Sequence, residues 1–453
     1  MTKKDFYSKA EFFTPDEIFD IQKQRFINIL NIIKNTKFSN FYQQKILQHN
    51  QNKLTLDNVI AKFNNCNNKT DFYNLFNQLI PFTTKQDLRE NYPDKLCCFD
   101  KKNYVRLHCS SGTTGNPTAI FYTKADLDKW ADLMARSLFV AGVRPDDVFQ
   151  NMSGYGLFTG GLGIHQGAEK LGCLTIPAGA GNSKRQIKLL QDFGVTVIHI
   201  LPSYALHIAE IISEYKKHQF SNLRIAIVGA EPYSEESRQR IQNALGVKVF
   251  NNFGLSEMNG PGVGIECQQQ NGIHIWEDSF IAEIINPQTC EILPNGEIGE
   301  LVLTTLTREG MPILRYRTRD LTKILGNDCP CGRNHLRIDR ILGRSDDMFI
   351  VRGVNIFPMQ IENILMNFQQ ISNNYVIMLQ TNSQSNLDDL HIKVEIKNEF
   401  FSEDIRQLQN LQKAIESALH DEILVRPIIE LVQHNSLPKS DGKVKRVIDL
   451  RQK

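Results

Sequence analysis

Between residues 171 and 249 the chain alternates short apolar runs with amphipathic helical patterns, and this alternation constrains the fold most. The apolar runs cover residues 173–176, 195–200, 223–228 and 247–250, with helical patterns at 184–193, 203–215 and 234–246. This β-α-β-α-β order predicts a mostly parallel sheet covered by helices. Ligands bind such sheets beyond the carboxyl ends of the strands. Residues at two of these ends are candidates to face one pocket: Ala230, Glu231 and Pro232, and Asn252, Phe253, Gly254, Ser256 and Glu257.

A second constraint is the loop Cys-Ser-Ser-Gly-Thr-Thr-Gly-Asn-Pro-Thr at residues 109–118. Glycine lets the backbone approach a ligand closely, and successive N–H groups in such a turn can bind an anion. The apolar patterns on either side predict two strands joined by this loop. A Gly-x-x-x-x-Gly-Lys-Ser/Thr loop instead joins a strand to a helix, and that motif is absent here. A polar hairpin turn is the alternative. The candidate phosphate contacts are Ser110, Ser111, Gly112, Thr113, Thr114 and Gly115.

The remaining patterns predict further helices, a β-rich unit and a small unit at the end of the chain. Residues 14–48 predict two helices, 49–70 a surface loop, and 125–140 another helix. Strands are predicted at 280–285, 299–305 and 321–325, with an arginine-rich segment, 315–320, before the last strand. After residue 346 we expect a strand at 348–351, a turn at 353–357, a helix at 358–366, strands at 374–379 and 389–396, a helix at 404–422 and a strand at 428–432. The predicted fold is α/β, with a large N-terminal domain at 1–345 and a small α+β C-terminal domain at 346–453.

Composition argues against several classes of partner. The net charge of +2 gives no reason to expect binding to nucleic acid or to an anionic membrane. No apolar run approaches the roughly 18 residues that span a bilayer, and the N-terminus lacks the apolar core of a secretory signal. We therefore expect a cytoplasmic protein.

The nine cysteines are scattered and odd in number, which favours metal binding over a disulfide framework. Cys329 and Cys331 form a tight pair on a Pro/Gly turn, and Cys267 and His274 lie earlier in the chain. Together they predict a closed Cys₃His zinc site, which is structural because four protein ligands leave no open position. His335 is the rival fourth ligand, and ordinary loop thiols are the alternative.

The glycine-rich segment after residue 153 predicts close backbone approach beside a pocket. Its candidate lining residues are Tyr155, Phe158, Gly160 and Gly161, with ordinary core packing of both aromatic rings as the alternative.

Several long segments resemble the motifs of the adenylate-forming superfamily of acyl-CoA synthetases, luciferases and peptide-synthetase adenylation domains. They read Ser-Ser-Gly-Thr-Thr-Gly (110–115), Tyr-Gly-Leu-Phe-Thr-Gly-Gly-Leu-Gly (155–163), Gly-Leu-Ser-Glu (254–257), Arg-Tyr-Arg-Thr-Arg-Asp (315–320) and Gly-Arg-Ser-Asp-Asp-Met-Phe-Ile-Val-Arg-Gly-Val-Asn-Ile-Phe-Pro (343–358). The resemblance is nearest to the phenylacetate–CoA ligases and runs from residue 81 to residue 446. It implies that a carboxylate attacks ATP to give an acyl-adenylate and pyrophosphate. A thiol, usually that of coenzyme A, then displaces AMP to form a thioester.

The resemblance also implies roles for individual residues. The loop 110–115 holds the β- and γ-phosphates, Glu257 holds Mg²⁺, and Asp320 accepts hydrogen bonds from the ribose. Residues 230–232 and Phe253 border the adenine, and Arg344 contacts the nucleotide. Lys443 matches the catalytic lysine, with Lys445 as the fallback. In this superfamily a mobile C-terminal domain rotates between the two half-reactions. The resemblance therefore places the hinge at Asp346, and it places Gly353 on the tunnel for the thiol.

Three departures from the family pattern limit this transfer. Asn116 stands where a lysine is common, Phe253 where tyrosine is common, and Ser153 where phenylacetate ligases tend to have tyrosine. Because Ser153 falls in the expected acid pocket, an aryl acid other than phenylacetate is a fair hypothesis. The alternatives are an enzyme that loads a carrier-protein thiol and a non-catalytic nucleotide-binding relative. A homodimer is compatible with the family.

Overall fold

The computed structural model describes residues 6–110, 116–212, 215, 220–382, 387–401, 405–437 and 446–451. Its α-helices are α1 (Pro15–Asn35), α2 (Phe41–His49), α3 (Leu56–Asn64), α4 (Lys69–Leu79), α5 (Lys85–Glu90), α6 (Lys124–Val140), α7 (Thr159–Leu171), α8 (Ser183–Asp192), α9 (Pro202–Ile212), α10 (Glu235–Leu245), α11 (Pro358–Leu365) and α12 (Ile405–Ile423). Its strands are β1 (Tyr104–Cys109), β2 (Ala119–Thr123), β3 (Val148–Asn151), β4 (Leu174–Ile176), β5 (Val197–Ile200), β6 (Ile225–Gly229), β7 (Lys248–Leu255), β8 (Gly260–Glu266), β9 (Ile273–Ile275), β10 (Phe280–Ile285), β11 (Gly299–Thr305), β12 (Tyr316–Thr322), β13 (Ile324–Gly326), β14 (Arg337–Ile338), β15 (Gly343–Arg344), β16 (Phe349–Val351), β17 (Val354–Ile356), β18 (Ile371–Thr381), β19 (Asp388–Ile396), β20 (Ile428–Val432) and β21 (Val447–Asp449).

The largest sheet confirms the predicted β-α-β order. Within the described residues it contains nine strands in the order β13-β14-β9-β8-β7-β6-β5-β3-β4. Strands β4, β3, β5, β6 and β7 are parallel, and β8 then pairs antiparallel with β7. All residues of the central parallel strands β5 and β6 are buried, which explains the continuous apolar runs of these strands. Their carboxyl ends therefore meet along one edge.

The predicted surface loop at residues 49–70 is wrong, because this segment contains α3 and the start of α4. Thr55 and Asn68 cap the two helices, each accepting a hydrogen bond from the backbone N–H three residues later. Val59 and Phe63 are fully buried against neighbouring helices. The Asn- and Lys-rich composition belongs to the exposed faces and hides this apolar stripe.

The arginine-rich segment is itself most of a strand, so the prediction that it precedes the third strand is wrong. It forms β12 in a four-stranded antiparallel sheet of order β10-β11-β12-β15. Arg315 pairs with the buried Glu283 at 2.9 Å, and Arg317 pairs with the buried Glu300 at 2.6 Å. Carboxylates of the neighbouring strands therefore neutralise these two arginines inside the protein.

The C-terminal unit, defined here as β16 through β21 with α11 and α12, has its own apolar core. Strand order is β20-β19-β18-β21, and α12 packs on this sheet. The predicted turn at 353–357 is wrong, because residues 354–356 form β17 and pair with β16 in a hairpin. None of the helices in the described ranges is long and apolar enough to cross a membrane.

Candidate functional site

The carboxyl edge of the parallel strands is organised around Asn151, the last residue of β3. Its Oδ1 accepts hydrogen bonds from Ser153 Oγ at 2.7 Å and from His199 Nδ1 at 3.0 Å. Its Nδ2 donates to Tyr155 Oη at 3.0 Å and to the Gly161 carbonyl at 2.8 Å. All but Tyr155 are buried, so this buried polar network joins Ser153, Tyr155 and Gly161, three of the residues that were predicted to line the acid pocket.

The predicted pocket residues differ in how closely they are packed. A Cβ on Gly161 would lie 2.4 Å from the Gly154 carbonyl oxygen, so only glycine fits that approach. Gly160 has open space around it, and Phe158 is 55% exposed at the start of α7. Tyr155 is half-buried and its ring packs edge-on against His165. Phe158 is therefore exposed, whereas the alternative prediction placed its ring in the core.

The predicted phosphate loop joins two antiparallel strands, as expected from its flanks. Cys109 of β1 pairs with Ala119 of β2, and Ser110 Oγ hydrogen-bonds to Thr118 Oγ1 at 2.6 Å. The carbonyl of Leu157 accepts a hydrogen bond from Cys109 N at 2.9 Å, which ties the loop's base to the acid-pocket segment. The predicted contacts Ser111, Gly112, Thr113, Thr114 and Gly115 lie outside the described residues, as do Lys443 and Lys445.

Glu257, the predicted Mg²⁺ ligand, lies in a 3₁₀ turn after β7 and is held at two points. Tyr316 Oη donates to its Oε1 at 3.1 Å, and Arg308 Nη1 donates to its backbone carbonyl at 2.6 Å. Ser256, the residue before it, hydrogen-bonds through its Oγ to Thr159 Oγ1 at 3.1 Å. Since Glu257 is only 7% exposed, the turn presents a fixed carboxylate, the ligand type that Mg²⁺ prefers.

Arg344 connects the predicted ribose acceptor with the predicted hinge. It lies opposite Asp320 in the β12–β15 pair, with Nη1 3.4 Å from Asp320 Oδ1. Its Nε and Nη2 donate to the two carboxylate oxygens of Asp346 at 2.9 and 3.0 Å. Burial raises the pKa of Asp320 to about 7, although Arg344 opposes this shift. Asp320 is thus a largely buried acceptor whose ionisation depends on this arginine.

The predicted adenine-bordering residues follow β6 and lie in β7. Ala230 has a φ of +72°, which is a strained conformation for a residue with a side chain. Glu231 Oε2 accepts a hydrogen bond from Ser203 N at 3.2 Å, while Pro232 continues this loop towards α10. Phe253 is 7% exposed and packs in the main core. The buried Asn252 Oδ1 has no hydrogen-bond partner in the described structure, as expected for an acceptor that awaits a ligand donor.

Two further glycines have distinct surroundings. A Cβ on Gly254 would lie 2.0 Å from the Gly260 carbonyl oxygen, so this position admits only glycine between β7 and β8. Gly353 has a φ of +82° at the β16–β17 turn and open space around it. A side chain would be strained there, and the open surroundings are compatible with the predicted tunnel.

The four predicted zinc ligands lie together and are all buried. The ligand atoms of Cys267, His274, Cys329 and Cys331 lie within 4.8 Å of one another. Cys267 Sγ is 3.6 Å from Cys329 Sγ, and Cys331 Sγ is 3.5 Å from His274 Nε2. Tetrahedral zinc–sulfur bonds of about 2.3 Å place two sulfurs roughly 3.8 Å apart, so these spacings fit a zinc ion. A hydrogen bond with Cys267 lowers the pKa of the Cys331 thiol, which favours the thiolate form.

The rival ligand His335 has both ring nitrogens engaged elsewhere. Its Nε2 lies 2.9 Å from the Ala10 carbonyl, and its Nδ1 accepts the Glu277 N–H at 3.2 Å. The cluster joins the β13–β14 loop to β8 and β9, all at one end of the nine-stranded sheet. The cluster therefore ties together elements of one sheet and does not join it to the four-stranded sheet of β10, β11, β12 and β15.

Sequence reasoning missed the residues that support these groups, mainly Asn151, His199, Arg308 and Tyr316. Tyr316 lies inside an arginine-rich motif that was interpreted through its charges. The alternation of Tyr316 and Thr318 with the arginines was the available signal for a strand there. No local signal marks Arg308, whose buried guanidinium packs over the Tyr122 ring at 4.9 Å.

Comparison with known proteins agrees with this geometry. The model of the AMP-binding enzyme family matches residues 39–306, and that of the AMP-binding enzyme C-terminal domain matches residues 353–451. The fold and the site therefore define a member of the AMP-binding enzymes. Phenylacetate-coenzyme A ligase of Thermus thermophilus is 44% identical over 82% of this chain and 86% of its own, and the Escherichia coli enzyme is 43% identical over 82% and 84%. The chain belongs to the same family as these ligases.

Solved structures of one related ligase represent two states of its reaction. A 2-hydroxyisobutyryl-CoA ligase in the postadenylation state, 26% identical, covers 99% of this chain and 95% of its own with a TM-score of 0.87. The same ligase in the thioesterification state, 27% identical, covers 100% and 95% with a TM-score of 0.70. The present structure is thus more similar to the postadenylation structure of that ligase than to its thioesterification structure.

Proposed function

We propose that this protein joins an aryl carboxylic acid to coenzyme A, using ATP and releasing AMP and pyrophosphate. Its family membership makes it an ATP-dependent, AMP-forming acyl-CoA synthetase. The observation that carries the proposal is the set of contacts around Glu257. Tyr316, which donates to the Glu257 carboxylate, lies on β12, the strand that also holds Asp320. Ser256 contacts Thr159 of α7, and the base of the 109–118 loop contacts Leu157 just before α7. Family relatives named phenylacetate-coenzyme A ligases support the aryl-acid class.

The nucleotide contacts follow from the buried polar groups. Glu257 would hold Mg²⁺, which would neutralise phosphate charge during attack by the acid. Asp320, oriented by Arg344, would accept hydrogen bonds from the ribose hydroxyls. The free Asn252 Oδ1 and the strained Ala230 loop would contact the adenine. Lys443 would offset charge between the acid and the α-phosphate.

The acid pocket gives a more specific proposal about the substrate. Ser153 is small and donates its hydroxyl hydrogen to Asn151, where the phenylacetate ligases tend to have a tyrosine. The position therefore leaves more room, and its neighbours are polar. The preferred acid would be an arylacetate-like acid that is larger than phenylacetate or carries a polar ring substituent.

Pyrophosphate exchange over a panel of acids tests this function. The expected result is acid-dependent ATP–pyrophosphate exchange, with 4-hydroxyphenylacetate or indole-3-acetate above phenylacetate, and acyl-CoA formation after coenzyme A is added. Exchange without acyl-CoA formation would favour transfer to a carrier-protein thiol. Exchange with none of the acids would overturn the proposed activity.

We also propose that Cys267, His274, Cys329 and Cys331 bind a structural Zn²⁺. The buried donors, their mutual distances and the chemistry of three sulfurs with one imidazole support this assignment. A bound ion would fix the β13–β14 loop, whose Arg333 also pairs with the buried Glu11 at 2.8 Å. The ion would therefore stabilise this end of the large sheet and take no part in the chemistry.

Metal analysis of the purified protein tests the zinc proposal. One zinc ion per chain is expected, with Cys331→Ser losing the ion and lowering the melting temperature. Cys66→Ser is the matched control, since Cys66 is also buried but lies outside the cluster. Zinc-free wild-type protein whose stability equals that of Cys331→Ser would refute the site.

A further inference from the structure

The C-terminal unit docks on α9 and α10 through two complementary contacts. Arg240 on α10 donates to the carbonyls of Met366 at 2.6 Å and Phe368 at 2.8 Å, at the carboxyl end of α11. Glu362 of α11 accepts hydrogen bonds from Ser237 Oγ at 3.1 Å and from Ser234 N at 3.4 Å, at the amino end of α10. Each helix end thus meets a charge of the favourable sign. We call this contact, with its partners on β18, the docking interface.

The same interface reaches the beginning of β18. Arg240 Nη1 donates to Asn373 Oδ1 at 2.9 Å, and Asn373 Nδ2 donates to Glu210 of α9, also at 2.9 Å. Tyr375 Oη donates to the second oxygen of Glu362 at 2.8 Å. Side chains of the N-terminal part and of α11 therefore fix residues 373–375 together.

Arg446 anchors the end of the chain to these same residues. Its Nη2 donates to the Asn373 carbonyl at 3.1 Å and its Nη1 to the Tyr375 carbonyl at 3.3 Å. Its guanidinium also lies 4.3 Å from the centre of the Tyr375 ring. Arg446 follows Lys443 by three residues in the sequence, so residues 373–375 hold the described residue that is nearest in the chain to the predicted catalytic lysine.

We infer that Arg240 and Glu362 are positioning residues for the adenylation half-reaction, acting through β18 on Arg446, which follows Lys443 by three residues. This inference rests on the proposed function. The contacts belong to a structure that is more similar to the postadenylation structure of the relative, with a TM-score of 0.87, than to its thioesterification structure, with a TM-score of 0.70. Because they depend on one relative orientation of α10 and α11, rotation of the C-terminal unit would break them. They stabilise one of the two arrangements and contribute little to the other.

The two half-reactions, measured separately, test this inference. Arg240→Met keeps an unbranched side chain and removes the guanidinium donors, whereas Arg240→Lys retains the charge without the fork that reaches several acceptors. For Arg240→Met we expect pyrophosphate exchange to fall about tenfold or more, because several charge-assisted hydrogen bonds are lost. Thioester formation from a supplied acyl-adenylate should stay within about twofold of wild type, and Arg240→Lys should be intermediate. Glu362→Gln should shift the same ratio in the same direction.

The controls separate positioning from folding and from the proposed function. Arg426→Met removes an arginine of the C-terminal unit that pairs with Glu416, away from the docking interface, and should leave the ratio of the two rates unchanged. Hydrogen exchange at the amides of residues 371–375 should be faster in Arg240→Met, at an unchanged melting temperature. The inference would be overturned if Arg240→Met and Glu362→Gln each lost the two half-reactions equally, or if neither variant lost either half-reaction. Wild-type protein with no exchange would instead refute the proposed function.

Discussion

The hydrogen bond from Tyr316 to Glu257 allows a direct test of the magnesium site. Tyr316 is 3% exposed and Glu257 is 7% exposed, and 3.1 Å separates the hydroxyl from Oε1. Tyr316→Phe keeps the buried ring and removes only this donor. The buried carboxylate then loses both an orienting contact and a group that stabilises its charged form.

The size of the effect follows from the type of hydrogen bond. A hydrogen bond to a charged group is worth about 1.5–3 kcal/mol, and about 1.4 kcal/mol corresponds to a factor of ten. We therefore expect kcat/KM for MgATP in pyrophosphate exchange to fall roughly 10- to 150-fold. Thioester formation from a supplied acyl-adenylate should change by less than about threefold, because that step releases no pyrophosphate.

The assay is exchange measured over a range of MgATP concentrations. Tyr73→Phe is the matched control, because Tyr73 Oη also donates to a side-chain oxygen, that of Gln22, but far from Glu257. If Tyr316→Phe exchanges as fast as Tyr73→Phe at all MgATP concentrations, the hydroxyl does not support the site. A similar fall in both half-reactions would indicate damage to the fold and would also contradict the reasoning.

Three further predictions concern the carboxyl of Asp320, the acid pocket and the metal cluster. The pKa of Asp320 is about 7 in the folded protein against an ordinary value of 3.8. The folding stability that arises from this raised pKa is fully present below about pH 4 and is lost as the pH rises towards 7. Urea unfolding at pH 5 and pH 7.5 should therefore show a smaller pH dependence for Asp320→Asn than for wild type; an equal dependence would contradict this. Ser153→Tyr should reduce kcat/KM for the larger acids at least about tenfold more than for phenylacetate, and a uniform reduction would argue against Ser153 as a specificity residue. Removing metal with a chelator should lower the melting temperature of wild type but leave that of Cys331→Ser unchanged, whereas an equal shift in both would show that the chelator acts elsewhere.

Features that depend on local pattern were predictable from the sequence. The alternation at residues 171–249 specifies buried strands and covering helices, because each run carries its own periodicity. The strand–loop–strand setting of residues 109–118 was also predictable from its flanks. The zinc cluster was predictable because thiol and imidazole groups are common zinc ligands and two of the cysteines form a tight pair. Its four residues are Cys267, His274, Cys329 and Cys331.

Features that depend on distant partners were not predictable. The charged motif at 315–320 becomes a buried strand only because Glu283 and Glu300 on neighbouring strands neutralise Arg315 and Arg317. The exposed face of helix α3 is polar, and this composition obscures the apolar stripe of the helix that contains Phe63. The docking interface of Arg240 and Glu362 joins residues more than a hundred positions apart, and neither residue lies in a recognisable motif.

The central claim is that this fold adenylates a carboxylic acid with Lys443 at the reacting centre. Pyrophosphate exchange by Lys443→Ala, compared with Lys445→Ala, tests it most directly. We predict that Lys443→Ala loses acid-dependent exchange, while thioester formation from a supplied acyl-adenylate is slowed much less and Lys445→Ala retains both activities. Exchange that survives in Lys443→Ala, or an equal loss of both half-reactions, would contradict the account.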